Sequence, residues 1–333
     1  MIRVKLSTPN PDFPLIRQTP NSGGTWGNCT YYINQNIEEC DYWIVYDSIN
    51  NTEKVRCPKE NVILITGEPP SVKKYSNSFI RQFHTIITCH KDIKLGNVIY
   101  RQQGLPWMAG ARYLKEDKKW DDKNFMCYND FLSMDSSKKN KEISIILSNK
   151  TFTEGHEQRI RFLNKIRDTY GEKIEVFGRG FNEIEDKIDG LANFKYSIVL
   201  ENSVYRDYWT EKLADAFLCE SYPIYYGCPN IHDYFPKGSL TQIDIFNVDE
   251  AANIIKLVME SDEYGKSLDS IKKSKELVLD QFNLFSLIGN VIANLEKTRV
   301  VPNKPESVKI YPEKRFRKKL RRIVKRLLIY KLD

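Results

Sequence analysis

Short apolar runs separated by polar loops make up the first half of the chain. Residues 41–47 (DYWIVYD), 61–66 (NVILIT) and 85–88 (TIIT) are rich in β-branched and aromatic side chains, and each predicts a buried strand. The opening Met1-Ile2-Arg3-Val4-Lys5-Leu6 alternates apolar and basic residues as a strand does. Gly23, Gly24 and Gly27 mark a loop, and residues 31–39 are expected to form a helix. From 113 to 141 the chain turns polar and charged, which marks the expected domain junction. After it the pattern becomes regular. Strands are predicted at 143–147, 174–177, 196–200, 223–226 and 240–245, with helices at 154–169, 210–219, 249–259, 267–281 and 285–297. Apolar strands alternating with helices indicate a parallel sheet covered on both faces. The expected organisation is an α/β domain over 1–140, a second over 141–300, and a linker and tail over 301–333. Two such domains facing one another would hold a ligand in a central cleft.

Composition adds little until charge is placed along the chain. The 333 residues carry 51 Lys+Arg against 44 Asp+Glu, a net +7, with 41% hydrophobic and 29% charged residues, an ordinary globular mixture. Residues 314–333 alone hold ten Lys/Arg and one Asp, so the rest of the chain is slightly acidic. In that tail Phe316, Leu320, Ile323, Val324, Leu327 and Leu328 recur at helical spacing between the cations. Such a basic amphipathic helix can lie on an anionic membrane surface through Lys314–Lys331. It could also dock on the protein's own body with its basic face solvated. Nucleic-acid binding is not expected, because the body has no basic stripe and no nucleic-acid module signature. No apolar run is long enough to span a bilayer, and the first residues lack the apolar core of a signal peptide. The seven cysteines are odd in number and lack C-x-x-C spacing, which reads as reduced thiols. A cytoplasmic protein, peripheral on the membrane, is the expectation.

Two segments carry candidate chemistry. Parallel α/β sheets bind ligands beyond the carboxyl ends of their strands, where helix N-termini point. Residues 200–212 (LENSVYRDYWTEK) form such a strand end, polar loop and helix start. Lys212 in a first helical turn is disfavoured by the helix dipole, which makes sense if it faces an anion such as a pyrophosphate. Glu211 beside it could accept hydrogen bonds from ribose hydroxyls. A plain Thr210 cap flanked by surface charges is the alternative. The other segment, Thr66-Gly67-Glu68-Pro69-Pro70, follows an apolar strand and fixes a carboxylate on a stiff turn. Glu68 is therefore a candidate general base, or simply a solvated turn residue. No Walker A motif, complete glycine fingerprint, Asp-x-Asp pair or zinc-ligand spacing is present, so no metal site is expected.

Three ordered blocks, Lys195–Asn202 (KYSIVLEN), Tyr208–Leu213 (YWTEKL) and Tyr222–Gly227 (YPIYYG), resemble glycosyltransferase family 10, the α1,3/α1,4-fucosyltransferases, of bacterial type. Pro229, Phe235 and Asp244 extend the match, as do Ser148-Asn149, Arg159 and Phe162 upstream. The resemblance is strong over 143–246 and rests mainly on Thr66-Gly67-Glu68 before that. Leu200 stands where the family usually has Phe, and Trp209 where it has Val.

The resemblance implies a GT-B architecture with GDP-fucose bound by the C-terminal half. Arg159 and Lys212 would neutralise the pyrophosphate, Glu211 would hold the ribose, and Asn202 and Tyr208 would line the same pocket. Glu68 would be the catalytic base. The implied reaction is inverting, metal-independent transfer of L-fucose, without a cofactor, to a hydroxyl such as O3 of N-acetylglucosamine. The acceptor would be an oligosaccharide or glycolipid, for instance of a lipopolysaccharide. Another nucleotide sugar on the same fold is the alternative, and a non-catalytic glycan- or membrane-binding protein is a third reading.

Overall fold

The apolar runs of the first half assemble into one seven-stranded sheet. The structure, a computed structural model, describes residues 1–135, 139–149, 154–298 and 304–316. It forms two compact units. The first comprises Met1–Pro11, Gly24–Gln103 and the chain from Ile288 onward; the second comprises Asp12–Gly23 and Gly104–Leu287.

The first unit contains β1 (Ile2–Ser7), β2 (Thr25–Trp26), β3 (Cys29–Ile33), β4 (Tyr42–Tyr46), β5 (Glu53–Cys57), β6 (Val62–Ile65), β7 (Thr85–Thr88) and β8 (Asn97–Tyr100), with the short helix α1 (Asn77–Ile80). The sheet order is β2-β3-β1-β4-β6-β7-β8, and all pairings are parallel except β2 with β3. Every residue of β4, β6 and β7 is buried, as expected of central parallel strands covered on both faces.

The second unit opens with the antiparallel ribbon β9 (Ala111–Leu114) and β10 (Lys119–Phe125), followed by α2 (Tyr128–Ser133). Its sheet is built from β11 (Lys141–Ile146), β12 (Ile174–Phe177), β13 (Phe194–Leu200), β14 (Tyr222–Tyr226) and β15 (Thr241–Gln242), all parallel, in the order β12-β11-β13-β14-β15. The helices are α3 (Glu154–Tyr170), α4 (Glu211–Leu218), α5 (Val248–Glu260), α6 (Glu263–Lys266) and α7 (Leu268–Glu276). Helix α8 (Leu284–Thr298) carries the chain back to the first unit, where β16 (Glu306–Ile310) pairs antiparallel with β5.

Several expectations change. Residues 31–39 are not helical: Tyr31, Tyr32 and Ile33 belong to β3, whose register with β1 places Tyr31 opposite Val4. Residues 113–141 are not a junction, because they hold most of the β9–β10 ribbon and α2 within the second unit. The chain passes between the units near 11, 23, 103 and 287 rather than at 140 and 300. Part of the expected linker is β16. Phe316, expected on the membrane-facing stripe, packs against the first unit's core. The remainder of the predicted basic helix, 317–333, lies outside the described residues. Among the described residues no helix is long and apolar enough to cross a membrane.

Candidate active site

Helix α4 sets the geometry of the second unit's polar site. Thr210 caps it, its side chain accepting the Lys212 N–H at 3.2 Å, and Glu211 in the first turn suits the positive end of the helix dipole. The rest of the helix is anchored in the core: Leu213, Phe217 and Leu218 are fully buried, each contributing about 1.5–3 kcal/mol. Trp209 is drawn inward too, with its ring against Tyr234, Phe235 and Phe282. The helix start is thus fixed by packing on one side of the chain and presents its charged residues on the other.

Those charges interlock with the end of β13. Glu201 is 1% exposed and accepts the Thr210 N–H and hydroxyl, each at 2.8 Å. Lys212 Nζ lies 3.4 Å from Glu201 Oε2, 3.3 Å from Glu211 Oε1 and 3.1 Å from Thr210 Oγ1. Lys187 Nζ reaches Glu211 Oε1 at 3.2 Å and Asp215 Oδ2 at 3.4 Å. Burial works against both members of the Glu211–Lys212 pair. Their mutual attraction, with Lys187 helping Glu211 and Glu201 helping Lys212, holds Glu211 below and Lys212 above their usual ranges. Burial dominates at Glu201, raising its carboxyl against the pull of Lys212. The anions Lys212 faces in this structure are therefore the protein's own carboxylates.

A pocket of about 350 Å³ opens over this cluster. Arg159 from α3, Asn202, Glu211 and Lys212 line it, together with Ser148, Arg179, Lys187, Leu200 and Asp215. Arg159 is 4% exposed; burial lowers its pKa, opposed by the charge of Glu201. Glycine is needed at two points. Gly178, on the pocket wall, has φ +110°, and a Cβ there would lie 2.2 Å from the Leu147 carbonyl oxygen. A Cβ at Gly227 would meet Glu201 Cγ and the Tyr225 hydroxyl, both at 2.5 Å. A larger hollow of about 800 Å³, beside Arg167, Asp168, Ile174 and Val176, contains none of the expected site residues.

The sequence expectation placed five residues in this pocket, and the structure brings four of them there. Tyr208 is the exception: it is buried, its N–H bonds the Tyr205 carbonyl at 3.2 Å, and it does not line the pocket. The loop before it turns at Asp207, in the left-handed region at φ +64°, whose Oδ1 accepts from Asn230 and Tyr234. Conversely, Lys187 and Asp215 were not anticipated. Asp215 lies one turn after Glu211 on the same helix face, a spacing that could have revealed it. Lys187 has no such local signal.

Glu68 belongs to the first unit, exposed on the turn that follows β6. The turn is tied from beneath. The Gly67 N–H donates to the Tyr75 hydroxyl at 3.1 Å, and Tyr75 donates to Asp47, which also pairs with Lys73 at 2.8 Å. His90 Nε2 lies 2.7 Å from the Glu68 carbonyl oxygen, so that nitrogen carries the proton. Burial lowers the pKa of His90 and favours this neutral form. The Glu68 carboxylate is thus carried on a backbone held at two successive residues.

Comparison with known proteins places the pocket in a family. Residues 136–275 match the model described as glycosyltransferase family 10 (fucosyltransferase) C-term. This segment is a glycosyltransferase family 10 domain. It includes every lining residue of the 350 Å³ pocket. Over 130 residues the chain is 30% identical to 4-galactosyl-N-acetylglucosaminide 3-alpha-L-fucosyltransferase 9 of Mus musculus, covering 38% of this chain and 32% of that protein. Over 95 residues it is 36% identical to alpha-(1,3)-fucosyltransferase FucT of Helicobacter pylori, covering 28% and 20%. The chain thus spans about a third or less of the length of these curated relatives. A solved α1,3-fucosyltransferase with GDP-fucose superposes with a TM-score of 0.50 at 18% identity, over 91% of this chain and 92% of that one. That likeness shows the fold. The α/β, GT-B expectation holds, with the family 10 domain supplying the second parallel sheet.

Proposed function

We propose that the chain transfers L-fucose from GDP-fucose to a hydroxyl of an acceptor glycan, O3 of an N-acetylglucosamine, with inversion and without a metal ion. The observation that carries this reading is the pocket in which Arg159, Glu211 and Lys212 meet inside the family 10 domain. The names of the relatives support the sugar and the linkage.

In this reading the diphosphate lies against Arg159 and Lys212, and Glu211 and Asn202 hold the nucleoside. Glu68 takes the proton of the acceptor hydroxyl as its oxygen attacks C1 of fucose from the face opposite GDP. The C1–O bond to the diphosphate breaks as the new glycosidic bond forms, and the departing charge develops against cations already in place. Such preorganised charge is commonly the largest contribution to catalysis.

Donor choice is the part most open to a second reading, because Leu200, a departure from the family pattern, lines the pocket. Calorimetry with GDP-fucose, GDP-mannose and UDP-galactose separates the two. Tighter binding of GDP-fucose is expected; tighter binding of either other sugar would reassign the donor.

We also propose that residues 317–333 hold the protein on an anionic membrane face, each cation near the surface contributing about 1 kcal/mol. Deleting them should abolish sedimentation with phosphatidylserine vesicles and leave GDP binding unchanged. Sedimentation of the truncated chain would remove the tail from membrane binding.

A further inference from the structure

Lys187 lies outside every motif the sequence offers, yet its ammonium stands in the pocket wall. It begins a short turn, Lys187–Gly190, that is fixed at both ends. Asp186, the cap, accepts the N–H of Ile188 at 2.9 Å and of Gly110 at 2.8 Å, while the Gly190 carbonyl accepts the Ser144 hydroxyl at 2.6 Å. The backbone beneath Lys187 is therefore preorganised, and only the side chain needs to move.

The ammonium is held, but loosely. Its contacts of 3.2 Å to Glu211 and 3.4 Å to Asp215 are longer than the 2.6 Å of Lys275–Glu220 or the 2.8 Å of Lys73–Asp47. The Lys187 side chain keeps 28% of its surface exposed, against 7% for Lys275, the cation of a closed structural pair. Glu211 Oε1 is also the oxygen that Lys212 Nζ approaches at 3.3 Å. One carboxylate oxygen thus gathers two ammonium groups at the same pocket wall. Asp215, fully buried, spends Oδ1 on the Met108 N–H at 2.9 Å and directs Oδ2 at Lys187. Among the described residues the pocket lining consequently sets Arg159, Arg179, Lys187 and Lys212 against Glu211 and Asp215, with Glu201 buried behind Lys212. That excess of cation suits a ligand bearing more than one negative charge.

We propose that Lys187 binds the diphosphate of the nucleotide donor alongside Lys212, and that Asp215 is the residue that positions it. The proposal rests on the reading of this pocket as the donor site. A diphosphate spreads its charge over several oxygens, so two ammonium groups tethered to one carboxylate can engage different phosphates at once. Lys187 then stabilises the charge that the leaving diphosphate gains as the C1–O bond breaks.

The test compares GDP with guanosine, both competing against a fluorescent GDP analogue on the full chain. Lys187→Met should weaken GDP about 10–100-fold, the loss of one charge-assisted contact, and weaken guanosine far less, since Lys212 still holds the Glu211 carboxylate. Lys187→Arg should recover most of the affinity. Asp215→Asn keeps the acceptor for Met108 and should weaken GDP by a smaller factor, again with less effect on guanosine. Equal losses for GDP and guanosine, or an unchanged GDP affinity in Lys187→Met, would overturn the proposal. Failure of the wild-type chain to bind GDP would overturn the reading of the pocket itself, and Lys187 would fall with it.

Discussion

Glu68→Gln is expected to lower kcat by about 10²–10⁴-fold, the usual contribution of a general base, while GDP-fucose binds as before. The amide matches the carboxylate in size but cannot take the proton of an attacking hydroxyl. The backbone ties that hold the turn, Gly67 to Tyr75 and the Glu68 carbonyl to His90, do not involve the altered group. The residues lining the 350 Å³ pocket all belong to the other unit. Steady-state kinetics together with calorimetry reads both halves of this expectation. A kcat within a few-fold of the wild type would send the proton to another group.

Lys212→Met is expected to have two effects of different origin. It removes a cation from the proposed diphosphate site, which should cost about 10–100-fold in GDP affinity. It also strips the buried Glu201 of its ammonium partner, and breaking such a pair destabilises by about 3 kcal/mol or more. A lower melting temperature alone would therefore say little about function. Adding Glu201→Gln separates the effects, because a neutral amide needs no counter-charge and can still accept from Thr210. The double variant should regain most of the lost stability and none of the GDP affinity. Wild-type GDP binding by the double variant would mean that Lys212 serves only to hold the fold.

Much of this site was legible because its signals are local. The strand at 174–177 and the strand at 85–88 appear where apolar runs predicted them, and Thr210-Glu211-Lys212 lie at the α4 start. The losses have a common cause in contacts between distant parts of the chain. Residues 12–23 join the second unit through Arg17, whose guanidinium donates to the Met126 and Trp107 carbonyls about a hundred positions away. No local pattern announces that.

The polar stretch expected to be a junction owes its polarity to an exposed two-stranded ribbon, where Lys119, Asp122, Lys123 and Asn124 face solvent. The helix expected at 31–39 failed because pairing with β1 decided the matter for Tyr31–Ile33. Tyr208 was assigned to the pocket on resemblance alone. Its burial under the turn that begins at Tyr205 could not be read from the motif.

The most direct measurement incubates the purified chain with GDP-fucose and N-acetyllactosamine in the presence of EDTA and weighs the products by mass spectrometry. The account predicts an acceptor heavier by one deoxyhexose, with the new linkage at O3 of N-acetylglucosamine. Transfer only when a divalent metal is restored would contradict the role given to Arg159 and Lys212. An unmodified acceptor together with no detectable binding of GDP-fucose would contradict the donor pocket itself.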